Sequence, residues 1–196
     1  MAVSNQMVFW MDGIVSSKIA LIQTPLLNQI MIIITSIGSM AVMTFLSVMT
    51  FSFLAYRKRW YDSALFAIGM LSGLGLELLI KIIFQRARPD NSLVQVSGYS
   101  FPSGHAVMAF IFFSLLIMLF RNDIKSKAWR ITFIASCSSI ILLVGLSRVY
   151  LNAHWFSDVM GGFMIGALWL AFVTIIFLKL MMKYNKSPTS TAGKTP

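Results

Sequence analysis

Five long apolar runs constrain this chain more than any other feature. Asn28 to Tyr56, Leu65 to Phe84, Ala106 to Phe120, Ile131 to Leu146 and Val159 to Leu178 succeed one another with only short polar segments between them. A bilayer core takes about 20 apolar residues per helix. Lipid offers the backbone nothing to hydrogen-bond with, so such runs must close their bonds within helices. The first run is uncharged, and the second carries only Glu77 and Lys81, near its end. At 58% hydrophobic and 11% charged over 196 residues, the composition is too apolar for a soluble domain. The expectation is an all-α, polytopic membrane bundle of about five transmembrane helices. The third and fourth runs are short, so their helices should extend past the apolar stretch.

The two ends read differently. Met7 to Trp10 is apolar but too short to cross. Asp12 and Lys18 interrupt the next stretch, and Pro25 breaks the chain before the first run. No basic stretch with a cleavage site marks a secretory signal. Residues 1–26 are therefore expected to form an interfacial helix lying on the membrane. Residues 27–182 form the membrane domain. The Ser/Thr/Pro/Lys-rich residues 183–196 are expected to be a disordered cytoplasmic tail.

Charge sets the orientation. Arg57, Lys58 and Arg59 come after the first run; Arg121, Lys125, Lys127 and Arg130 after the third; Lys179, Lys183, Lys186 and Lys194 after the fifth. Alternation puts all three groups on one side, which the positive-inside rule makes cytoplasmic. The net charge of +10 is mostly this asymmetry. Charge dispersed over membrane flanks does not make a nucleic-acid surface. The remaining loops, Phe84–His105 and Leu146–Asp158, share the outer face of the cell membrane. That face should be poor in cations, yet Lys81, Arg86, Arg88 and Arg148 gather there. Snorkelling to lipid phosphates explains Lys81 or Arg86 singly. An anionic ligand explains the group.

Between the last two runs lies Ser147-Arg148-Val149-Tyr150-Leu151-Asn152-Ala153-His154-Trp155-Phe156-Ser157-Asp158. If this segment is helical, His154 and Asp158 share one face a turn apart. The Asp can hold one ring nitrogen and free the other to attack or to carry a proton. Arg148 adds a permanent forked cation. Upstream, Tyr99-Ser100-Phe101-Pro102-Ser103-Gly104-His105 opens the third run. Ser103 suits an N-cap and Gly104 a close backbone approach. Free N–H groups at that helix start would hold an anion beside His105. By itself this stretch is equally well an ordinary helix cap; the cations opposite favour a phosphate site.

These residues also carry a resemblance. Lys81, six residues, then Arg88-Pro89 resembles the first motif of the type 2 phosphatidic acid phosphatase family. Pro102-Ser103-Gly104-His105 resembles the second, and Ser147-Arg148, five residues, His154, three residues, Asp158 the third. The family shares its site with vanadium haloperoxidases. The resemblance implies a metal-free lipid phosphatase, without cofactor, that works through a phosphohistidine. His154 would attack phosphorus, Asp158 would orient it, and His105 would protonate the leaving oxygen and then activate water. Lys81, Arg88, Arg148, Ser103 and the Gly104 backbone would hold the phosphoryl oxygens. Glu77, Arg86 and Pro102 would stand behind them. Glu77 is expected to position Lys81 from one turn away. Arg86 is open between substrate contact and interface anchoring.

The chain departs from the family pattern twice. It shows five runs where lipid phosphatases of the family usually have six, and Asn152 stands where Gly is common. Asn tolerates a left-handed backbone, so the loop can survive. The lone Cys137 excludes a disulfide within the chain. A non-catalytic phospholipid carrier would use the same cations but needs no His–Asp pair and acid. Vanadate-dependent halide oxidation shares the site, but the apolar runs argue against it. The expected substrate is a lipid phosphate entering sideways from the bilayer. An undecaprenyl-type diphosphate stands first by resemblance, with phosphatidic acid or phosphatidylglycerol phosphate second.

Overall fold

The structure is a computed structural model that describes residues 2–186. Its elements are α1 (Ala2–Ala20), α2 (Pro25–Ile37), α3 (Met40–Tyr56), α4 (Trp60–Phe84), α5 (Gly104–Phe120), α6 (Lys127–Tyr150) and α7 (Phe156–Lys186). No strand occurs among the described residues. Three helices, α4, α6 and α7, are long and apolar enough to cross a membrane, and α2 with α3 makes a fourth span if taken as one. α5 is a shorter apolar helix of 17 residues.

The first run is thus one stretch in sequence and two helices in space, bent by 41°. The cause is local. Ser39 takes extended backbone and its hydroxyl accepts from Val42 N–H, which starts α3 afresh. Gly38 is the adjacent close-packed point. A Cβ there would lie 2.6 Å from Val144 Cγ1 and 3.0 Å from His105 Cδ2. A Gly–Ser pair is a common seat of a kink. The kink brings α2 against α6, while α3 lies along α4.

α5 is the axis of the bundle, packed on α4, α6 and α7. Ile111, Phe112 and Leu115 are buried there, and the Phe112 ring meets Phe66 of α4 edge-on at 5.8 Å. Such pairs add about 0.5–1.5 kcal/mol beyond area burial. Small residues set the approach of α7. A Cβ on Gly162 would lie 3.0 Å from Ala106 Cβ and 3.1 Å from the Ser103 carbonyl. Close backbones of this kind are how helices pack in lipid. This contact fixes the start of α7 against the start of α5, where the motif residues lie.

Pro25 sits in the first turn of α2 with Thr24 as its cap, accepting from Leu27 N–H at 3.3 Å, so the break before the first run falls where Pro25 marks it. α1 is not among the helices long and apolar enough to cross. Its second half and the turn after it lie on the α6–α7 connection, through Ser16 to Asn152 and Gln23 to the Tyr150 carbonyl. At the far end, α7 continues to Lys186, past the expected start of the tail at Lys183. No proline occurs before Pro188 to stop it. The rest of that tail lies outside the described residues.

The basic loops after α3 and α5 occupy one end of the bundle. Arg59 binds them together, with 2.6 Å bonds to Asp62, Asp123 and the Leu119 carbonyl. The motif residues occupy the other end.

Candidate active site

Three segments meet at that second end. The loop after α4 brings Arg86 and Arg88, the α5 entry brings Ser100 to His105, and the α6–α7 turn brings Arg148 to Asp158. Backbone bonds lock them: Ser100 N–H donates to the Arg86 carbonyl at 2.8 Å, and Ser103 N–H to the Asp158 carbonyl at 3.1 Å. The α6–α7 turn needs a left-handed residue, and Asn152 supplies it with φ 49°. The departure from Gly at this position is accommodated.

His154 is not helical, contrary to the helical reading of its segment. It sits in the turn ahead of α7, and Asp158 lies in the first turn of that helix. The two still meet, with His154 Nδ1 3.7 Å from Asp158 Oδ2. Asp158 reaches back past its own helix start. It accepts from Trp155 N–H at 3.0 Å, as the acid of a capping box does. Ser100 Oγ donates to the same oxygen and lies 3.5 Å from His154 Nδ1. On the other side of the ring, Arg88 Nη1 lies 3.0 Å from Nε2. A guanidinium can only donate, so Nε2 is the acceptor and the neutral ring carries its proton on Nδ1. Burial, opposed by the Asp158 contact and reinforced by Arg88 and Arg148, lowers the basicity of His154 to a pKa of about 4. The imidazole is therefore neutral near pH 7, with a lone pair on Nε2.

Arg88 is fixed by three carbonyls, Ser97 and Gly98 at 2.9 Å and Ala153 at 2.7 Å. Burial also lowers its pKa, against the pull of Asp158 and Glu77; a guanidinium nonetheless keeps its charge in proteins. Arg148 donates from Nη1 to Thr35 Oγ1 of α2 at 2.9 Å, while its Nε is buried with no partner. Ser103 stands at the N-cap position of α5, but its side chain makes no capping bond. Its hydroxyl is buried and also unpartnered. A capping hydroxyl would face the helix; this one is left with unused hydrogen-bonding capacity. Orphaned buried polar groups are the exception in folded proteins, and each calls for a ligand or another role.

Lys81 pairs with Glu77 at 3.0 Å, as their spacing on α4 implies, and also reaches the Tyr99 carbonyl at 3.3 Å. Gly104 lines the cavity, and its lack of a side chain has a further use. The space its missing Cβ leaves is taken by Glu77, whose Oε1 would lie 2.6 Å from such a Cβ. His105 projects from the first turn of α5 and makes no hydrogen bond among the described residues. Pro102 is buried in the entry loop. Arg86 stands behind the site. It donates to Asp158 Oδ1 at 2.5 Å, to Ser157 Oγ at 2.6 Å and to Asp12 Oδ2 at 2.6 Å.

Lys81, Arg88, Gly104, His105, Arg148 and His154 all line one cavity of about 850 Å³. It extends along α3 from Met40 to Phe51 and along α4 from Lys81 back to Phe66. Its far walls are apolar, with Met43, Val48, Met70 and Leu74 among them. One end is thus cationic and the rest suits a hydrocarbon chain.

The profile of the PAP2 superfamily matches residues 62–182. The chain belongs to the PAP2 superfamily. It is 33% identical to phosphatidylglycerophosphatase B of Bacillus subtilis (strain 168) over 161 residues, which cover 80% of this chain and 78% of that one. It is 33% identical to a lipid A 1-phosphatase of Rhizobium johnstonii, covering 66% of this chain and about half (53%) of that one. The crystal structure of a transmembrane PAP2-type phosphatidylglycerolphosphate phosphatase from Bacillus subtilis superposes with a TM-score of 0.81 at 31% identity, covering 89% of this chain and 88% of that one. The all-helical membrane fold and the family expected from the three motifs are therefore both met.

Proposed function

We propose that this membrane lipid phosphatase transfers the terminal phosphoryl group of its substrate to His154 Nε2. The observation that carries the reading is an unprotonated Nε2, held by Arg88, together with the motif residues Arg148 and Ser103, which each keep a buried group, Nε and Oγ, without a partner. A phosphoryl group between them would take the unused donors on its oxygens. Lys81, Arg88 and Arg148 offset its negative charge.

In the first step Nε2 forms a bond to phosphorus as the bond to the leaving oxygen breaks. His105 gives that oxygen its proton. Nδ1 keeps its proton throughout, facing Asp158 and Ser100. In the second step the now neutral His105 takes a proton from water, the water oxygen attacks phosphorus, and the P–N bond breaks. His154 is restored, and His105 again carries the proton it began with.

The substrate reading rests on the cavity and on the relatives. A phosphate at its cationic end leaves room for a lipid chain between α3 and α4. A phosphatidylglycerol-phosphate-like monoester fits the name of the first relative, so it takes first place. An undecaprenyl-type diphosphate, first by motif resemblance alone, becomes second. The cationic site faces the extracytoplasmic side in this reading, because the loops rich in Lys and Arg hold the other end. Cysteines at Asn91 and Ser126, with Cys137 replaced by Ser, test that side. Impermeant reagent added to intact cells should label the first and not the second.

Purified protein in detergent, assayed for phosphate release from phosphatidylglycerol phosphate, a long-chain lipid diphosphate and phosphatidate, tests the function. Release should persist in chelator and fall with vanadate. Strict dependence on added divalent metal would overturn the covalent mechanism.

A further inference from the structure

Behind His154 lies a buried charge network whose far end belongs to none of the three motifs. Asp12 of α1 is 2% exposed. Its Oδ1 accepts from Ser157 N–H at 2.9 Å, and its Oδ2 from Ser157 Oγ and from Arg86 Nη2, both at 2.6 Å. The other arm of the same guanidinium holds Asp158 Oδ1. One cation is thus shared by two carboxylates. We propose that Asp12 is a positioning residue for the phosphoryl transfer: it draws on Arg86 so that Asp158 keeps a net negative charge behind His154.

The electrostatics favour this over a simple tether for α1. Were Arg86 paired with Asp158 alone, the two charges would cancel. His154 would then be faced by Arg88 from the loop after α4, Arg148 from α6 and His105 from α5, with Lys81 of α4 beyond. Attack through Nε2 places positive charge on the imidazole ring. An uncompensated carboxylate at Nδ1 stabilises that charge, and a neutralised one does not. With Asp12 present, the trio of Asp12, Arg86 and Asp158 carries one net negative charge. A tether has no need of a buried carboxylate. α1 already holds the α6–α7 turn through Ser16 and Asn152 at 3.0 Å and through Val15 and Ile19 against Val149 and Val159.

The inference rests on His154 being the nucleophile, so His154→Ala is measured alongside. Asp12→Asn, nearly isosteric, should lower kcat about tenfold with KM little changed. It should also shift the acid limb of kcat/KM to lower pH, because the imidazolium loses support. The decisive measurement is the cycle with Arg86→Gln. If Asp12 acts through Arg86, the double variant Asp12→Asn/Arg86→Gln should be no slower than Arg86→Gln alone. If Asp12 only anchors α1, its full factor will multiply that of Arg86→Gln, and the proposal fails. Asp12→Ser carries the same prediction should Asp12→Asn not fold. Ser16→Ala, which loosens α1 without touching Arg86, should leave kcat and the acid limb unchanged. Asp12→Asn at full activity, with His154→Ala inactive, overturns this proposal and leaves the mechanism standing. Activity retained in His154→Ala overturns the mechanism itself.

Discussion

His154 sits in the turn before α7 with both ring nitrogens near fixed partners: Arg88 at Nε2, and Asp158 with Ser100 at Nδ1. His105, facing the same cavity from the first turn of α5, makes no hydrogen bond among the described residues. The contrast matches two chemical tasks. A nucleophile gains from being held at one tautomer and angle, since orientation is a large part of its advantage. A group that gives a proton to one oxygen and takes one from another must serve two partners in turn, and fixed bonds would hinder it. The two histidines are also held by different parts of the chain. The side-chain partners of the His154 ring come from the two loops and α7. His105 is packed at its carbon edge by Gly38 at the α2–α3 kink.

Removing the fixed member should do most damage. His154→Ala is expected to lower turnover by roughly several hundredfold or more, because it deletes a covalent step. No acid-labile phosphoprotein should form when the variant is quenched during turnover. Phosphoprotein in His154→Ala would mean that the roles of the two histidines are exchanged.

His105→Ala should cost less, about a hundredfold, within the usual range for a general acid–base group. The contrast sharpens with the leaving group. A substrate with a good leaving group needs no proton in the first step, so that step survives in His105→Ala while hydrolysis does not. Phosphohistidine should then accumulate, detectable by phosphorus NMR on the quenched protein. Equal loss on good and poor leaving groups, with no accumulation, would count against a proton-transfer role.

The pH profile comes next in size. His154 must be neutral to attack, and burial lowers its pKa to about 4. The acid limb of kcat/KM, corrected for ionisation of the substrate phosphate, should therefore lie well below the roughly 6.5 of a free imidazole. Activity should rise with pH through the lowered pKa and fall again where His105, which must begin protonated, loses its proton. An acid limb at or above about 6.5 would mean that His154 is not the lowered, neutral nucleophile.

The sequence revealed the ring-fixing groups unevenly. Arg88, Arg148 and Asp158 were legible because each stands at a set spacing within its own motif. The pairing of Glu77 with Lys81 was legible from helical spacing alone. Asp12, Thr35, Ser100 and Ser157 were not. The Asp12–Ser157 and Thr35–Arg148 bonds span 145 and 113 residues, and nothing local to either partner announces them. Arg86 could be set behind the phosphate-binding residues but not given its partners, because its two carboxylates come from α1 and α7. The kink in the first run did leave a signal. Gly38-Ser39 is a helix stop and then a cap, but it lies inside an apolar stretch long enough to pass for one span. Ser103 misled in the opposite way. Its position is that of a cap, and only the fold turns its hydroxyl away from that use.

The smallest effect should come from the apolar half of the cavity, far from both histidines. Leu74 of α4 lines the cavity two turns before Lys81. Leu74→Trp should fill part of that space without reaching His105 or His154. If a lipid chain lies there, the variant should raise KM for a long-chain lipid phosphate by about three- to tenfold. That corresponds to about 0.7–1.4 kcal/mol, comparable to one or two buried methylenes. Its kcat should hold, because the phosphate end is untouched. A water-soluble phosphate ester, which has no chain to place, should show no change in either constant. The comparison must be made in one detergent at one micelle concentration, so that partitioning of the lipid is the same for both proteins. If the soluble ester has the higher kcat/KM on the unaltered protein, or if Leu74→Trp slows both substrates alike, then the chain does not lie along α3 and α4. The cavity would then serve only the phosphate.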